Sequence, residues 1–77
     1  MKIILYSKKG CHLCDVAKDL LTVFQKKFKY DFEEKDIYEE DFLVEEYGLM
    51  IPVVEINGDV VAYGKVTKDD LMPFFSR

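Results

Sequence analysis

The sequence contains no tryptophan, two cysteines, two prolines, one histidine and no long apolar run. A helix that spans a membrane needs ~18 consecutive apolar residues, and no segment approaches that length. The first apolar run, Ile3–Tyr6, is also far shorter than the core of a secretory signal, and Lys8 and Lys9 follow it. We therefore expect a cytoplasmic protein that does not contact a membrane.

Basic residues are too few for a typical nucleic-acid-binding protein. The 11 lysines and arginines stand against 15 aspartates and glutamates, which gives a net charge of −4. The most densely charged stretch, 33–46, is acidic, whereas a nucleic-acid-binding domain gathers basic residues into a patch. Nucleic acid is therefore not an expected partner.

The chain is long enough for one compact domain and too short for two. Its 77 residues are 49% hydrophobic, as in ordinary globular proteins. No repeat, low-complexity stretch or linker divides it. We predict a single domain over 1–77, and nothing in the sequence requires more than a monomer.

The first 27 residues change from a strand pattern to a helix pattern. Residues 2–6 (KIILY) are almost continuously apolar, which predicts a strand buried on both faces. From Cys11 onward apolar residues recur at helical spacing, which predicts a helix over 12–27. The face predicted to pack inward consists of Leu13, Val16, Ala17, Leu20, Leu21 and Phe24.

The middle of the chain is more polar. Residues 31–37 (DFEEKDI) indicate an exposed edge strand that Phe32 and Ile37 anchor in part. Residues 39–47 predict a second helix, which Gly48 ends. Its packing residues are Phe42, Leu43 and Tyr47.

The last third predicts a hairpin followed by a helix. The β-branched runs 53–56 and 59–63 flank Asn57-Gly58, a pair typical of tight hairpin turns. Thr67 can then cap a last helix that packs through Leu71, Met72, Phe74 and Phe75, and Pro73 falls inside it unless the helix is short or starts late. The order β-α-β-α-β-β-α predicts an α/β fold, with a right-handed parallel crossover at its start.

Cys11 and Cys14 stand where the first strand turns into the first helix. Unpaired N–H groups and the positive end of the helix dipole favour an anion there, so a thiol at that position ionises more readily. Cys14 lies one helical turn on, and the two sulfurs can form a disulfide. We therefore predict that Cys11 attacks a substrate disulfide and that Cys14 resolves the mixed disulfide.

The cysteine pair has two other interpretations. A structural disulfide over so short a loop contributes only about 2 kcal/mol and joins residues that the helix already holds together. A closed zinc site needs four ligands, and the chain has two cysteines and one histidine. An iron–sulfur cluster shared between two chains stays open as an alternative, with no metal expected within one chain.

Several neighbours of the cysteine pair have both a neutral and a functional interpretation. His12 is either a solvated first residue of the helix or an imidazolium that stabilises the Cys11 thiolate. Lys8 and Lys9 either aid solubility or hold an anion near Cys11. Pro52 either marks the start of a strand or follows a cis peptide bond, and composition does not decide between the two.

The segments 6–14 (YSKKGCHLC) and 51–53 (IPV), together with the Asn57-Gly58 hairpin, resemble the glutaredoxin-like branch of the thioredoxin superfamily over essentially the whole chain. The resemblance implies a four-stranded mixed sheet of order 2-1-3-4 with helices on both faces. It also implies that Pro52 is a cis-proline beside the sulfurs.

The resemblance further implies a substrate site around the cysteines. The Ile51 backbone would pair with an extended substrate or with glutathione, and Lys8 would lie near the thiolate and a glutathione carboxylate. Tyr63-Gly64 stands where the family often has Gly-Gly, so that Gly64 allows close approach of a backbone. Asp69-Asp70 come later than the family's acidic pair.

The expected function is thus reduction of protein or small-molecule disulfides by a thiol–disulfide oxidoreductase with no permanently bound cofactor. Glutathione or a flavoprotein disulfide reductase would recycle it. The alternatives are an iron–sulfur or metal carrier, and a non-catalytic redox-sensing binding module on the same fold.

Overall fold

The computed structural model describes residues 1–75. Its elements follow the chain as β1 (Lys2–Ser7), α1 (His12–Phe28), β2 (Asp31–Asp36), α2 (Asp41–Tyr47), β3 (Val53–Ile56), β4 (Asp59–Tyr63) and α3 (Lys68–Phe75). The predicted order of strands and helices is confirmed. Within residues 1–75, none of the helices has both the length and the apolar character needed to cross a membrane.

The four strands form one mixed sheet of order β2-β1-β3-β4. β1 runs parallel to β2 and antiparallel to β3, and β4 is antiparallel to β3. The most apolar strand, β1, lies inside the sheet and the polar strand β2 at one edge, as the sequence predicted. The predicted α/β class and sheet order are confirmed.

One hydrophobic core fills the space between the sheet and the pair α1 and α3, and a second lies between the sheet and α2. The buried members of the first are Ile3, Leu5, Ala17, Leu21, Phe24, Tyr30, Val54, Ile56, Ala62, Val66 and Leu71. The second consists of Tyr6, Ile37, Leu43 and Val53. Both faces of β1 are therefore covered, as its continuous apolar run requires.

The first helix, α1, ends one residue later than predicted and buries a narrower face. Its buried residues are Cys14, Ala17, Leu21 and Phe24, whereas Leu13 and Val16 are 44% and 43% exposed. The prediction that these two pack inward is wrong. The α3 helix has eight residues and spans about 12 Å, so it cannot cover all of the 17-residue α1.

The connection between β2 and α2 also differs from the prediction. Residues Ile37–Glu39 form a 3₁₀ turn, begun by Asp36, whose carboxylate accepts from the Tyr38 N–H at 2.9 Å. α2 therefore begins at Asp41 rather than at residue 39, and Ile37 enters the second core from the turn instead of from the strand. Phe42 is 57% exposed, which corrects its predicted inward position.

Local chemistry fixes the last three elements. Asn57 and Gly58 both have positive φ, 50° and 91°, as the predicted tight hairpin turn requires. The Thr67 hydroxyl accepts from the Asp70 N–H, and the Asp70 carboxylate accepts from the Thr67 N–H in return. This capping box starts α3, and Pro73 lies inside the helix.

Candidate active site

Cys11 and Cys14 are joined by a disulfide at the N-terminus of α1, with their Cα atoms 5.2 Å apart. Cys11 is the N-cap residue of the helix. The Cys14 N–H points at the Cys11 Sγ at 3.2 Å, and the Asp15 N–H donates to the Cys11 carbonyl at 3.1 Å. The Cys11 sulfur thus occupies the position where unpaired helix N–H groups stabilise negative charge.

The two cysteines differ in their exposure to solvent. Cys14 is 2% exposed and belongs to the buried face of α1, whereas Cys11 is partly exposed. Cys11 is therefore the member of the pair nearer to solvent, and Cys14 is enclosed by the fold.

The loop before β3 lies at the same edge of the sheet as the cysteine pair. Tyr6, near the end of β1, pairs with Val53 at the start of β3, so Pro52 begins where β1 gives way to the cysteine loop. The Ile51–Pro52 peptide bond is cis, and Pro52 is fully buried. Of the two interpretations of Pro52, the structure selects the cis bond.

Gly64, which follows β4, holds the loop around Pro52 through backbone hydrogen bonds. With φ at +73°, its N–H donates to both the Met50 and the Pro52 carbonyls at 2.8 Å. The Ile51 N–H donates to the Tyr47 carbonyl at 3.1 Å. These two N–H groups therefore hold the loop in place.

Lys8 and Lys9 are exposed in the loop before Cys11, and His12 is exposed in the first turn of α1. The two lysines line a cavity of about 290 Å³ together with Ser7 and four carboxylates. The carboxylates are those of Asp15, Glu34, Asp36 and Glu39. The surroundings of Lys8 are thus acidic on balance.

A network of polar side chains next to the cysteine loop was not predicted from the sequence. Ser7 is buried, and its hydroxyl donates to Glu34 at 2.9 Å. Lys18 pairs with the same carboxylate at 3.1 Å, and this hydrogen bond and charge raise the pKa of Lys18. Glu34 lies on β2 and Lys18 on α1, so no local sequence pattern connects them to Ser7. The only sequence signal for this network is a serine at the end of an apolar strand.

The opposite face of β1 carries a second buried polar contact. The Tyr6 hydroxyl donates to Glu55 at 3.3 Å, and its ring lies 4.8 Å from that of Tyr47. Burial, together with the Glu55 charge, raises the pKa of Tyr6 to about 12. Across residues 1–75, no three histidine, cysteine, aspartate or glutamate side chains gather as metal ligands would.

Residues 2–76 match the family model of the Glutaredoxin-like domain (DUF836). The chain belongs to this family. It is therefore a glutaredoxin-like protein, as the resemblance implied, and it shares the fold of thioredoxin. No curated protein sequence is significantly similar to it.

Solved structures similar to this glutaredoxin-like domain cover nearly the whole chain. Protein Ne2328 from Nitrosomonas europaea is 27% identical with a TM-score of 0.82, over 97% of this chain and 91% of its own. A protein from X. campestris, also 27% identical, has a TM-score of 0.76 over 94% and 92%. Thioredoxin 1 from Thermosipho africanus, 17% identical, shares the fold with a TM-score of 0.66 over 96% and 93%.

Proposed function

We propose that this glutaredoxin-like protein is a dithiol thiol–disulfide oxidoreductase in which Cys11 attacks and Cys14 resolves. The proposal rests on the unequal exposure of the two cysteines: Cys11, partly exposed at the positive end of α1, is bonded to Cys14, which is buried one helical turn away. A structural cross-link would gain nothing from exposing one sulfur.

The reaction starts from the reduced pair. The Cys11 thiolate attacks one sulfur of the substrate disulfide, forms a mixed disulfide and releases the first substrate thiol. Cys14 then gives up its proton and attacks the Cys11 Sγ, which forms the Cys11–Cys14 disulfide and releases the second thiol. Two electrons pass to the substrate, and the protein is left oxidised.

The Cys14 N–H supports the first step. It is directed at the Cys11 Sγ, where it can donate to a thiolate once the disulfide is reduced. A charge-assisted hydrogen bond and the helix dipole both favour the ionised form. His12, exposed in the same turn, adds positive charge when it is protonated.

The partners we propose are disulfide-containing proteins or glutathione. Two glutathione molecules, or a flavoprotein disulfide reductase, return the two electrons and regenerate the dithiol. A cytoplasmic location fits this cycle, because that compartment keeps thiols reduced.

The test is insulin reduction with dithiothreitol as the electron source, comparing wild type with Cys11→Ser and Cys14→Ser. We expect Cys11→Ser to lose the activity, since it removes the attacking sulfur. Cys14→Ser, reduced and freed of dithiothreitol before insulin is added, should stop at a mixed disulfide, visible by mass spectrometry as an adduct on Cys11. Activity retained by Cys11→Ser would contradict the proposal.

A further inference from the structure

The cavity of about 290 Å³ that contains Lys8 and Lys9 adjoins the cysteine loop. Its lining comes from the end of β1 and the loop after it, from β2 and the turn after it, and from the first turn of α1. Asp15, in that first turn, donates its N–H to the Cys11 carbonyl, so a residue of the cavity also contacts Cys11. We call this space the acidic cavity, after the carboxylates of Asp15, Glu34, Asp36 and Glu39.

The buried part of the acidic cavity accepts hydrogen bonds and does not donate them. Ser7 is 5% exposed, lines the cavity and gives its hydroxyl proton to Glu34 at 2.9 Å. A hydroxyl has one proton, so the Ser7 oxygen offers only lone pairs to a ligand, and an ionised carboxylate likewise only accepts. A ligand that fits this buried end therefore brings N–H groups.

The negative charge of the acidic cavity is only partly neutralised inside the protein. Glu34 pairs with a lysine of α1 at 3.1 Å, whereas Asp15, Asp36 and Glu39 form no ion pair within residues 1–75. The stretch 31–46, which supplies three of the four carboxylates, contains nine carboxylates and one lysine in all. A cationic ligand is therefore attracted to this side of the cysteine loop and an anionic one is repelled.

The arrangement of the carboxylates fits an organic cation better than a metal ion. In the part of the chain that the structure describes, no three histidine, cysteine, aspartate or glutamate side chains gather as metal ligands would. An ammonium or guanidinium group on a carbon arm has several N–H donors, which can reach separate acceptors. The acidic cavity has room for such a group.

The two lysines of the acidic cavity do not reverse its preference. Lys8 and Lys9 are exposed, and long lysine side chains keep their charge in water. Neither takes part in the ion pairs found within residues 1–75. Glutathione disulfide, whose carboxylates outnumber its amino groups, would meet these two mobile cations together with three unpaired carboxylates.

We infer that the preferred substrate of Cys11 is a disulfide that carries a cationic group near its sulfur. The cation enters the acidic cavity while the Cys11 thiolate attacks the sulfur, and Glu39 is a specificity-determining residue. This inference rests on the proposed function and adds the charge of the substrate to it. With cystamine, Cys11 displaces one cysteamine and Cys14 the second, so that two electrons pass from the protein to the disulfide.

The first test compares three small disulfides as oxidants of the reduced protein: cystamine, which is cationic, 2-hydroxyethyl disulfide, which is neutral, and 3,3′-dithiodipropionate, which is anionic. Acid quenching, alkylation and mass spectrometry follow the oxidation. The same rates with dithiothreitol measure the intrinsic reactivity of each disulfide. We expect the rate ratio of cystamine to 3,3′-dithiodipropionate to be about tenfold higher for the protein than for dithiothreitol, and to fall as the ionic strength rises.

The possible results separate the inference from the proposed function. An equal ratio for the protein and for dithiothreitol, or a lower ratio for the protein, would overturn the inference and leave the proposed function intact. If none of the three disulfides oxidises the wild type, the proposed function itself fails.

The second test uses Glu39→Gln, with Glu45→Gln as the matched control. Both residues are exposed, and each substitution removes one negative charge, but Glu45 lies on α2 and does not line the acidic cavity. We expect Glu39→Gln to lower the rate ratio of cystamine to 2-hydroxyethyl disulfide about threefold, because one nearby charge is lost. Glu45→Gln should keep the ratio of the wild type.

Circular dichroism verifies that both variants are folded, as the exposure of the two positions predicts. An equal fall of the ratio in the two variants would overturn the inference, because net charge alone would then explain the preference. An unchanged ratio in Glu39→Gln would overturn it as well.

A last comparison distinguishes a free aminothiol from a basic polypeptide as the source of the cation. Two synthetic peptides each carry one cysteine capped by 2-mercaptoethanol, followed by arginine in one and by glutamate in the other. A faster reaction with the arginine peptide than with cystamine identifies a basic polypeptide, and a slower one identifies an aminothiol. A glutamate peptide that reacts faster than the arginine peptide would contradict the preference for a cation.

Discussion

Tyr30 is the residue that ties the end of α1 to the start of β2. It is 6% exposed, its hydroxyl donates to the Leu21 carbonyl, and its ring stacks on Phe75 with centroids 5.5 Å apart. The Tyr30 carbonyl in turn accepts from the Gln25 side chain at 2.9 Å. A single side chain thus links two helices and the loop between α1 and the sheet.

Replacing this hydroxyl tests its contribution. We expect Tyr30→Phe to lower the free energy of unfolding by about 1 kcal/mol, because a buried hydrogen bond is lost while the ring packing stays. Urea unfolding followed by circular dichroism measures it. Tyr38→Phe is the control: Tyr38 is 65% exposed, so this variant should unfold at the same urea concentration as the wild type. An unchanged midpoint for Tyr30→Phe would contradict the role assigned to the hydroxyl.

At single positions, the sequence predicted the chemical role of a residue better than it predicted the residue's exposure to solvent. The change of hydrophobic period predicted Cys11 and Cys14 at the N-terminus of a helix. The family resemblance predicted the cis peptide bond before Pro52. The helical spacing of Leu13 and Val16 predicts that both pack inward, but both are exposed. Periodicity identifies an apolar side of a helix, but only the length of its neighbours decides whether that side is covered.

Short polar motifs, such as helix caps, mark where the helices and strands of the fold begin and end. The capping box of Thr67 and Asp70 begins α3 immediately after the loop that carries Gly64. Helix α3 is eight residues long and contains Pro73, which removes one hydrogen bond from it. A helix this short depends on its cap more than α1 does.

Removing the cap should therefore be measurable. We expect Asp70→Ala to lower the free energy of unfolding by about 1 kcal/mol, because the Thr67 N–H and hydroxyl lose their acceptor. The control is Asp69→Ala, the neighbouring exposed carboxylate in the same turn, which should cost less. Thermal unfolding of the two variants provides the comparison, and equal losses would argue against the cap.

Element boundaries were predictable where one residue type decides them. Asn57-Gly58 fixed the hairpin, and the basic end of α1 was placed to within one residue. The start of α2 was missed because Asp36 caps a 3₁₀ turn first, which turns Ile37 into the second core. The packing of Ile37 depends on the position of the whole sheet, so the local sequence pattern of 31–41 does not predict it.

At the scale of the whole molecule, two tyrosines within residues 1–75 are buried, one in each core. Burial raises the pKa of Tyr30 to about 12, and burial with the Glu55 charge raises that of Tyr6 to about 12, against 10.0 for an unperturbed tyrosine. Between these values the unfolded chain loses the protons that the folded chain keeps. The stabilisation is therefore complete below pH 10 and is lost as the pH rises towards 12.

An alkaline titration of stability tests this. We expect the free energy of unfolding to fall as the pH rises from 10 to about 12, by on the order of 1 to 3 kcal/mol for each tyrosine. The double variant Tyr6→Phe/Tyr30→Phe should show a smaller fall, because it lacks the two hydroxyls and keeps every other ionisable group. Parallel curves for the two proteins would exclude these hydroxyls as the source.

The bond between Cys11 and Cys14 spans a single helical turn whose backbone is already held by α1. We therefore expect opening or closing of this bond to move the two sulfur atoms and to leave the sheet, both cores and the loop around Pro52 unchanged. A binding partner would then meet almost the same surface in either oxidation state. We expect a partner to bind the oxidised and the reduced protein with similar affinity, while the relative reduction potentials of the two dithiols set the direction of electron flow.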